Sequence, residues 1–174
     1  MNPTTRRDFM ARTVTAAAAL GAFSIMRNAR GESAAPLRIG LVGCGKRGVG
    51  AARNCLDAAE NITIAAIGDV FADKVAAAQK KMADWGDKNK LTEDHCFSGF
   101  DAAEKVIGSD IDIVLLCTPP TFRPVHFRMA VEKGRHVFME KPAAVCPAGV
   151  KSIIETAELA DAKKALALGG GGAA

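Results

Sequence analysis

A chain of 174 residues is long enough for one domain of ordinary size, and 49% apolar residues is a globular rather than a disordered composition. The formal charge is only +4, of which residues 1–35 hold +3, with Arg6, Arg7, Arg12, Arg27 and Arg30 set against Asp8 and Glu32. The remaining +1 leaves no basic stripe, which excludes a nucleic-acid partner from the working set. The five cysteines, Cys44, Cys55, Cys96, Cys117 and Cys146, are odd in number and scattered. With no C-x-x-C and no Cys/His spacing, neither a metal site nor a disulfide framework is indicated. They read as small core residues. Cys44 sits inside the glycine turn, where a helix N-terminus could lower its pKa, but packing is the preferred reading for it as well.

The opening Thr5-Arg6-Arg7-Asp8-Phe9-Met10 resembles the twin-arginine export signal, Ser/Thr-Arg-Arg-x-Phe-Leu-Lys, with Ala11 in place of the lysine. Thr13 to Met26 is uncharged and alanine-rich. It is too short to span a membrane but suits the apolar region of a cleavable signal. Ser33-Ala34-Ala35 is the favoured cleavage site, and Ala29-Arg30-Gly31 the alternative. The expected division is thus a signal over 1–35, a nucleotide-binding domain over 36–168 and a Gly/Ala tail over 169–174, with the mature protein exported to the periplasm.

Arg38 to Val42 is a short apolar strand that enters a turn spelled Gly43-x-Gly45-x-x-Gly48, and Val49 to Ala59 then reads as helix. In this strand–turn–helix context each glycine has a distinct task. Gly43 allows the tight turn, Gly45 lets a pyrophosphate approach the backbone, and Gly48 lets the helix pack on the strand. Lys46 and Arg47 stand between the last two and are grouped with them as cofactor-binding residues. The helix N-terminus presents free N–H groups to phosphates.

Asn61 to Val70 is a second apolar run, without strict alternation, as expected of a strand buried on both faces. Asp69 ends it, about twenty residues past Gly48, where the fold places its ribose-binding acid. Taken alone it is a turn aspartate. With the glycine turn, its carboxylate would accept from the adenosine ribose hydroxyls and repel a 2′-phosphate, which favours NAD over NADP.

Ala72 to Trp85 reads as helix, Gly86 to Lys90 as a polar loop, and Cys96 to Phe100 as a short strand. Asp101 to Ile107 is helical with Gly108 as its stop. Ile111 to Cys117 is a strand closed by Thr118-Pro119-Pro120, since proline lacks a ladder donor. Phe122 to Lys133 is a helix ending at Gly134, and His136 to Met139 is a strand running into Glu140-Lys141-Pro142. Ala148 to Ala162 has Val150, Ile153, Ile154, Ala157 and Leu159 at helical spacing. Ala165 to Leu168 begins another strand. This alternation of strands and helices gives an α/β fold, a doubly wound parallel sheet of the Rossmann kind.

The glycine turn, Thr118-Pro119 and Glu140-Lys141-Pro142 should then end at one sheet edge, where open α/β sheets bind ligands. Lys141 would point toward the cleft and hold a substrate oxygen or the cofactor's ribose and carboxamide oxygens. Its alternative is a solvated strand-end charge, with Glu140 as its simplest partner.

Together with Ala130-x-x-x-Gly134-Arg135-His136-Val137, these motifs resemble the Gfo/Idh/MocA oxidoreductases over roughly residues 37–168. The resemblance implies NAD(P)-dependent hydride transfer on a sugar, cyclitol or related polyol. It implies Lys141 beside the nicotinamide as the catalytic lysine, and a cis peptide before Pro142 that fixes the lysine's direction. It also implies an acid–base partner, and the oligomer interface of a homo-oligomer, in a second, α+β domain. Two departures stand out. Arg123 occupies a place where the family often has histidine, with His126 one turn later, and the expected second domain does not follow. Three readings stay open: an exported oxidoreductase domain that loads NAD before export, an NAD-dependent glycoside hydrolase, or a truncated dinucleotide-binding remnant without turnover.

Overall fold

The computed structural model describes residues 36–163 and 165–169. The twin-arginine segment, both cleavage sites and the tail from Gly170 lie outside the described residues. Six strands, β1 (Leu37–Val42), β2 (Ile62–Asp69), β3 (Cys96–Ser98), β4 (Ile113–Leu116), β5 (His136–Met139) and β6 (Ala167–Gly169), form one sheet. Their order is β3-β2-β1-β4-β5-β6, and every pair is parallel. The helices are α1 (Lys46–Ala58), α2 (Ala72–Met82), α3 (Ala102–Gly108), α4 (Arg123–Glu132) and α5 (Pro147–Ala162). This is the doubly wound α/β sheet expected from the alternation of elements.

The sheet has a core on each face. Val49, Ala52 and Leu56 of α1 and Val75, Ala78 and Met82 of α2 pack on Ile39, Leu41, Ile64 and Ile67. On the other face Val106 and Ile107 of α3, Phe127 and Val131 of α4 and Ala160 of α5 pack on Val42, Ala66, Val114 and Val137. The broken alternation in β2 has a second cause besides double-sided burial. The β1–β2 register shifts between Ile39 and Gly40, whose partners are Ile64 and Ala66. The extra residue is a bulge, and it switches which parity of β2 faces α1 and α2.

Three expected boundaries move for identifiable reasons. Helix α1 starts at Lys46 rather than Val49, because Gly48 belongs to its first turn instead of preceding it. The run expected to be helical through Trp85 leaves α geometry after Met82 and tightens into 3-10 turns over Ala83–Lys88, where Gly86 has φ +60°. The expected strand to Phe100 stops at Ser98, ahead of Gly99 with φ +108°. Gly169, counted with the tail from sequence, closes β6.

Helix α5 is where periodicity misleads most. Of the five apolar positions at helical spacing, Ile153, Ala157 and Leu159 are half-buried against the core, but Val150 and Ile154 are exposed, while Thr156 and Ala160 are buried. Thr156 can be buried because its hydroxyl donates to the Ser152 carbonyl at 2.7 Å.

Two cations satisfy helix ends. Lys88 Nζ donates to the carbonyls of Leu56 and Ala59 at the end of α1. Arg135 donates to the carbonyls of Ile107, at the end of α3, and of Ser109 and Ile111 just after it. Both supply donors to carbonyls that lack an intrahelical partner.

At Gly48 a Cβ would overlap the Gly43 carbonyl oxygen, which is backbone and cannot step aside. Gly48→Ala is therefore expected to destabilise the domain by about 1–3 kcal/mol, the usual range for overpacking, read as a lower denaturant midpoint at unchanged slope.

Candidate dinucleotide cleft

Strand register brings the predicted segments to one edge. Val42 pairs with Gly68 on one side and Leu116 on the other, and Leu116 pairs with Met139. The next residues along each strand are therefore the glycine turn, Asp69, Cys117-Thr118-Pro119 and Glu140-Lys141-Pro142. The chain winds one way through β1, β2 and β3 and the other way through β4, β5 and β6, so β1 and β4 flank the switch point.

The three motif glycines answer to three different constraints. Gly43 has φ +100°, and its Cβ would lie 2.8 Å from the Cys117 carbonyl carbon, so both backbone and space demand glycine. Gly48 is set by helix–turn packing, as above. Gly45 is unlike either. Its φ of −66° and ψ of 174° suit any residue, and a Cβ there would meet nothing within 4 Å. It is the N-cap of α1 and offers no side-chain cap, so the N–H groups of Lys46, Arg47 and Gly48 have no intrahelical acceptor.

A cleft of about 460 Å³ opens beside Gly45, in the size range of small-molecule sites. Of the eleven residues singled out from sequence, Gly43, Gly45, Asp69, Thr118 and Pro119 line it. Lys46, Arg47, Gly48, Glu140, Lys141 and Pro142 lie outside that lining, in the first turn of α1 and in the turn after β5. The peptide before Pro142 is cis, as the resemblance implied.

Asp69 does more than face the cleft. Its Oδ2 accepts from the Cys44 N–H at 2.7 Å and its Oδ1 from the Phe71 N–H at 3.0 Å. The carboxylate thus fixes the glycine turn directly. An ionised carboxylate has about four acceptor positions, so each oxygen keeps one for a ligand hydroxyl.

Sequence reading missed the apolar part of the wall. Phe71, Phe100 and Phe122 line the cleft and remain 63%, 90% and 48% exposed. Phe71 and Phe100 follow their strands by two residues, and an aromatic so placed is a usable signal. Phe122 stacks on His126, with ring centroids 6.1 Å apart, and burial draws His126 below its ordinary imidazole value.

One pairing differs from the sequence reading. Glu140 does not pair with Lys141. Its buried carboxylate takes Arg47, with Oε1 2.6 Å from Nη2 and 2.8 Å from Nε. Cys44 packs in the core, the preferred reading from sequence, and the helix N-terminus does not lower its thiol. Burial first, then the Asp69 charge, pushes it up to about 12, and Cys117 is likewise raised to about 12 by burial and Glu140.

Residues 37–167 match the family model of oxidoreductases with an NAD-binding Rossmann fold, Gfo/Idh/MocA. The chain belongs to that family. A Gfo/Idh/MocA domain is thus present over nearly all the described residues, and its fold is one that binds NAD(P). Among relatives, a glycosyl hydrolase family 109 protein of Shewanella amazonensis is 31% identical over 125 residues, covering 72% of this chain and 27% of its own. The scyllo-inositol dehydrogenase of Lactobacillus casei superposes with a TM-score of 0.61 at 24% identity, over 78% of this chain and 36% of that one. The WlbA dehydrogenase of Chromobacterium violaceum, solved with NADH and UDP-GlcNAcA, gives 0.61 at 23% identity, over 79% and 36%. The chain therefore spans between a quarter and two fifths of the length of these relatives. Among the described residues no cluster of metal-ligating side chains occurs, and no helix is long and apolar enough to cross a membrane.

Proposed function

We propose that this domain binds NAD across the ends of β2, β1, β4 and β5 and serves hydride transfer at a hydroxyl-bearing carbon of a sugar, cyclitol or related polyol. Gly45 carries the reading. It is a glycine that neither its backbone angles nor its neighbours require, which leaves close approach of a ligand as its reason. The diphosphate would sit on the free N–H groups at the start of α1. Asp69 would accept from the adenosine ribose and disfavour a 2′-phosphate, and the phenylalanine wall suits a flat, apolar ring. Bound there, NAD would supply the hydride acceptor and donor. Lys141, carried past the cleft by β5, would hold the reacting hydroxyl through its ammonium and take part in moving its proton.

Calorimetric titration of the chain with NAD and NADP tests this. NAD is expected to bind more tightly than NADP, and Asp69→Ala to weaken NAD by about tenfold or more while narrowing the gap between the two. Equal affinity for both nucleotides before the substitution would remove the Asp69 assignment.

A second reading is favoured by the relative of 31% identity named as a glycosyl hydrolase. Cleavage of a glycoside through transient oxidation uses the same cleft but leaves the cofactor unchanged overall. Supplying glycosides and free polyols to a longer relative separates the two, since a hydrolase releases sugar with no net NADH.

Export by the twin-arginine route rests on the Thr5–Met10 pattern and its alanine-rich continuation. Arg6→Lys combined with Arg7→Lys is expected to leave the precursor in the cytoplasm on fractionation, and normal export would refute the signal.

A further inference from the structure

We propose that Arg123 is the positioning residue of the Glu140-Lys141-Pro142 turn, tying it to the Thr118 turn and so setting where the Lys141 ammonium stands. The proposal rests on the reading of Lys141 given above. Arg123 opens α4, yet it is only 6% exposed. Its Nε donates to the Thr118 carbonyl at 2.7 Å, and its Nη1 to the Glu140 carbonyl at 2.7 Å and to the Pro142 carbonyl. The last two acceptors flank Lys141 in the chain, so one guanidinium brackets that residue from both sides.

A start of helix does not need such a group. Pro124 already occupies the first turn of α4, and an apolar side chain would fill the space at lower desolvation cost. What an arginine adds is a rigid planar fork that addresses carbonyls on two separate turns at once. Glu140 is fixed independently, because its carboxylate holds Arg47 of α1. Backbone and flanking side chain are thereby immobilised, while Lys141 itself stays exposed, with no hydrogen bond or ion pair from its ammonium among the described residues. The arrangement spends its polar contacts on the neighbours of the lysine and leaves the lysine available.

The test compares the chain with Arg123→Lys and Arg123→Gln, reading NAD affinity by calorimetry and the acetylation rate of Lys141 against that of exposed Lys151 by peptide mass spectrometry. Saturating NAD is expected to slow Lys141 acetylation in the unmodified chain by about tenfold or more. In both variants the NAD dissociation constant should stay within about threefold while that shielding is lost. Lysine keeps the charge but cannot span both turns, so retained charge alone should not rescue it. Shielding that persists in both variants overturns the clamp alone. Affinity lost together with shielding makes Arg123 a fold element and overturns it too. A chain that binds NAD without shielding Lys141 removes the assignment of Lys141 and the clamp with it.

Discussion

Gly45→Val is expected to abolish measurable NAD binding while the domain stays folded. The two halves of that result have separate causes. On the folding side, the residue already has angles open to valine, and a Cβ meets no atom within 4 Å. At an N-cap, glycine is preferred over valine, so a loss of about 1 kcal/mol is expected there, too small to unfold the domain. On the binding side, two methyl groups would occupy the approach to the N–H groups of α1. Losing the diphosphate seat should raise the dissociation constant by about a hundredfold or more, equivalent to about 2.8 kcal/mol. Calorimetry with thermal denaturation reads both. Tight binding by the folded variant would show that the glycine turn is not the seat of the cofactor.

Lys141→Ala, made in a longer relative that carries the same Glu-Lys-Pro turn, is expected to lower turnover by about 10²–10⁴-fold, the usual contribution of a placed proton-transfer group. Dinucleotide affinity should change little, because the diphosphate and ribose contacts proposed above lie on β1, α1 and β2. A fall in kcat with KM nearly constant is the signature of an interaction made in the transition state only. Unchanged turnover would reduce Lys141 to a solvated charge at the end of a strand.

What the sequence disclosed and what it hid divide along the range of the interactions. Strand β5 and the glycine turn are written locally, in four consecutive residues and in one spacing, and both stand where they were expected. The ends of α2 and β3 were harder, because they depend on Gly86 and Gly99 adopting positive φ, which a glycine permits without announcing. In α5 the apolar period found the side that meets the core at Ile153, Ala157 and Leu159, but it also drew in Val150 and Ile154, which are exposed, since the width of the buried stripe is set by what packs against it. In the site, the expected segments meet at one sheet edge, but the partners of their side chains were not legible. Asp69 reaches a backbone amide 25 positions away, and Arg47 a carboxylate 93 positions away. No local pattern encodes such pairs. Arg123 was noticed only as a substitution for histidine, and its three carbonyl acceptors exist only once β4 and β5 lie side by side.

The thiols of the glycine turn and of the residue after β4 carry one more consequence. With Cys44 and Cys117 raised to about 12, essentially neither is ionised at neutral pH, and peroxides and alkylating agents react with the ionised form. Burial thereby keeps both thiols from being consumed by such reagents. Cys146, exposed at the start of α5, is open to such reagents, so an oxidising environment would reach that helix before Cys44 or Cys117.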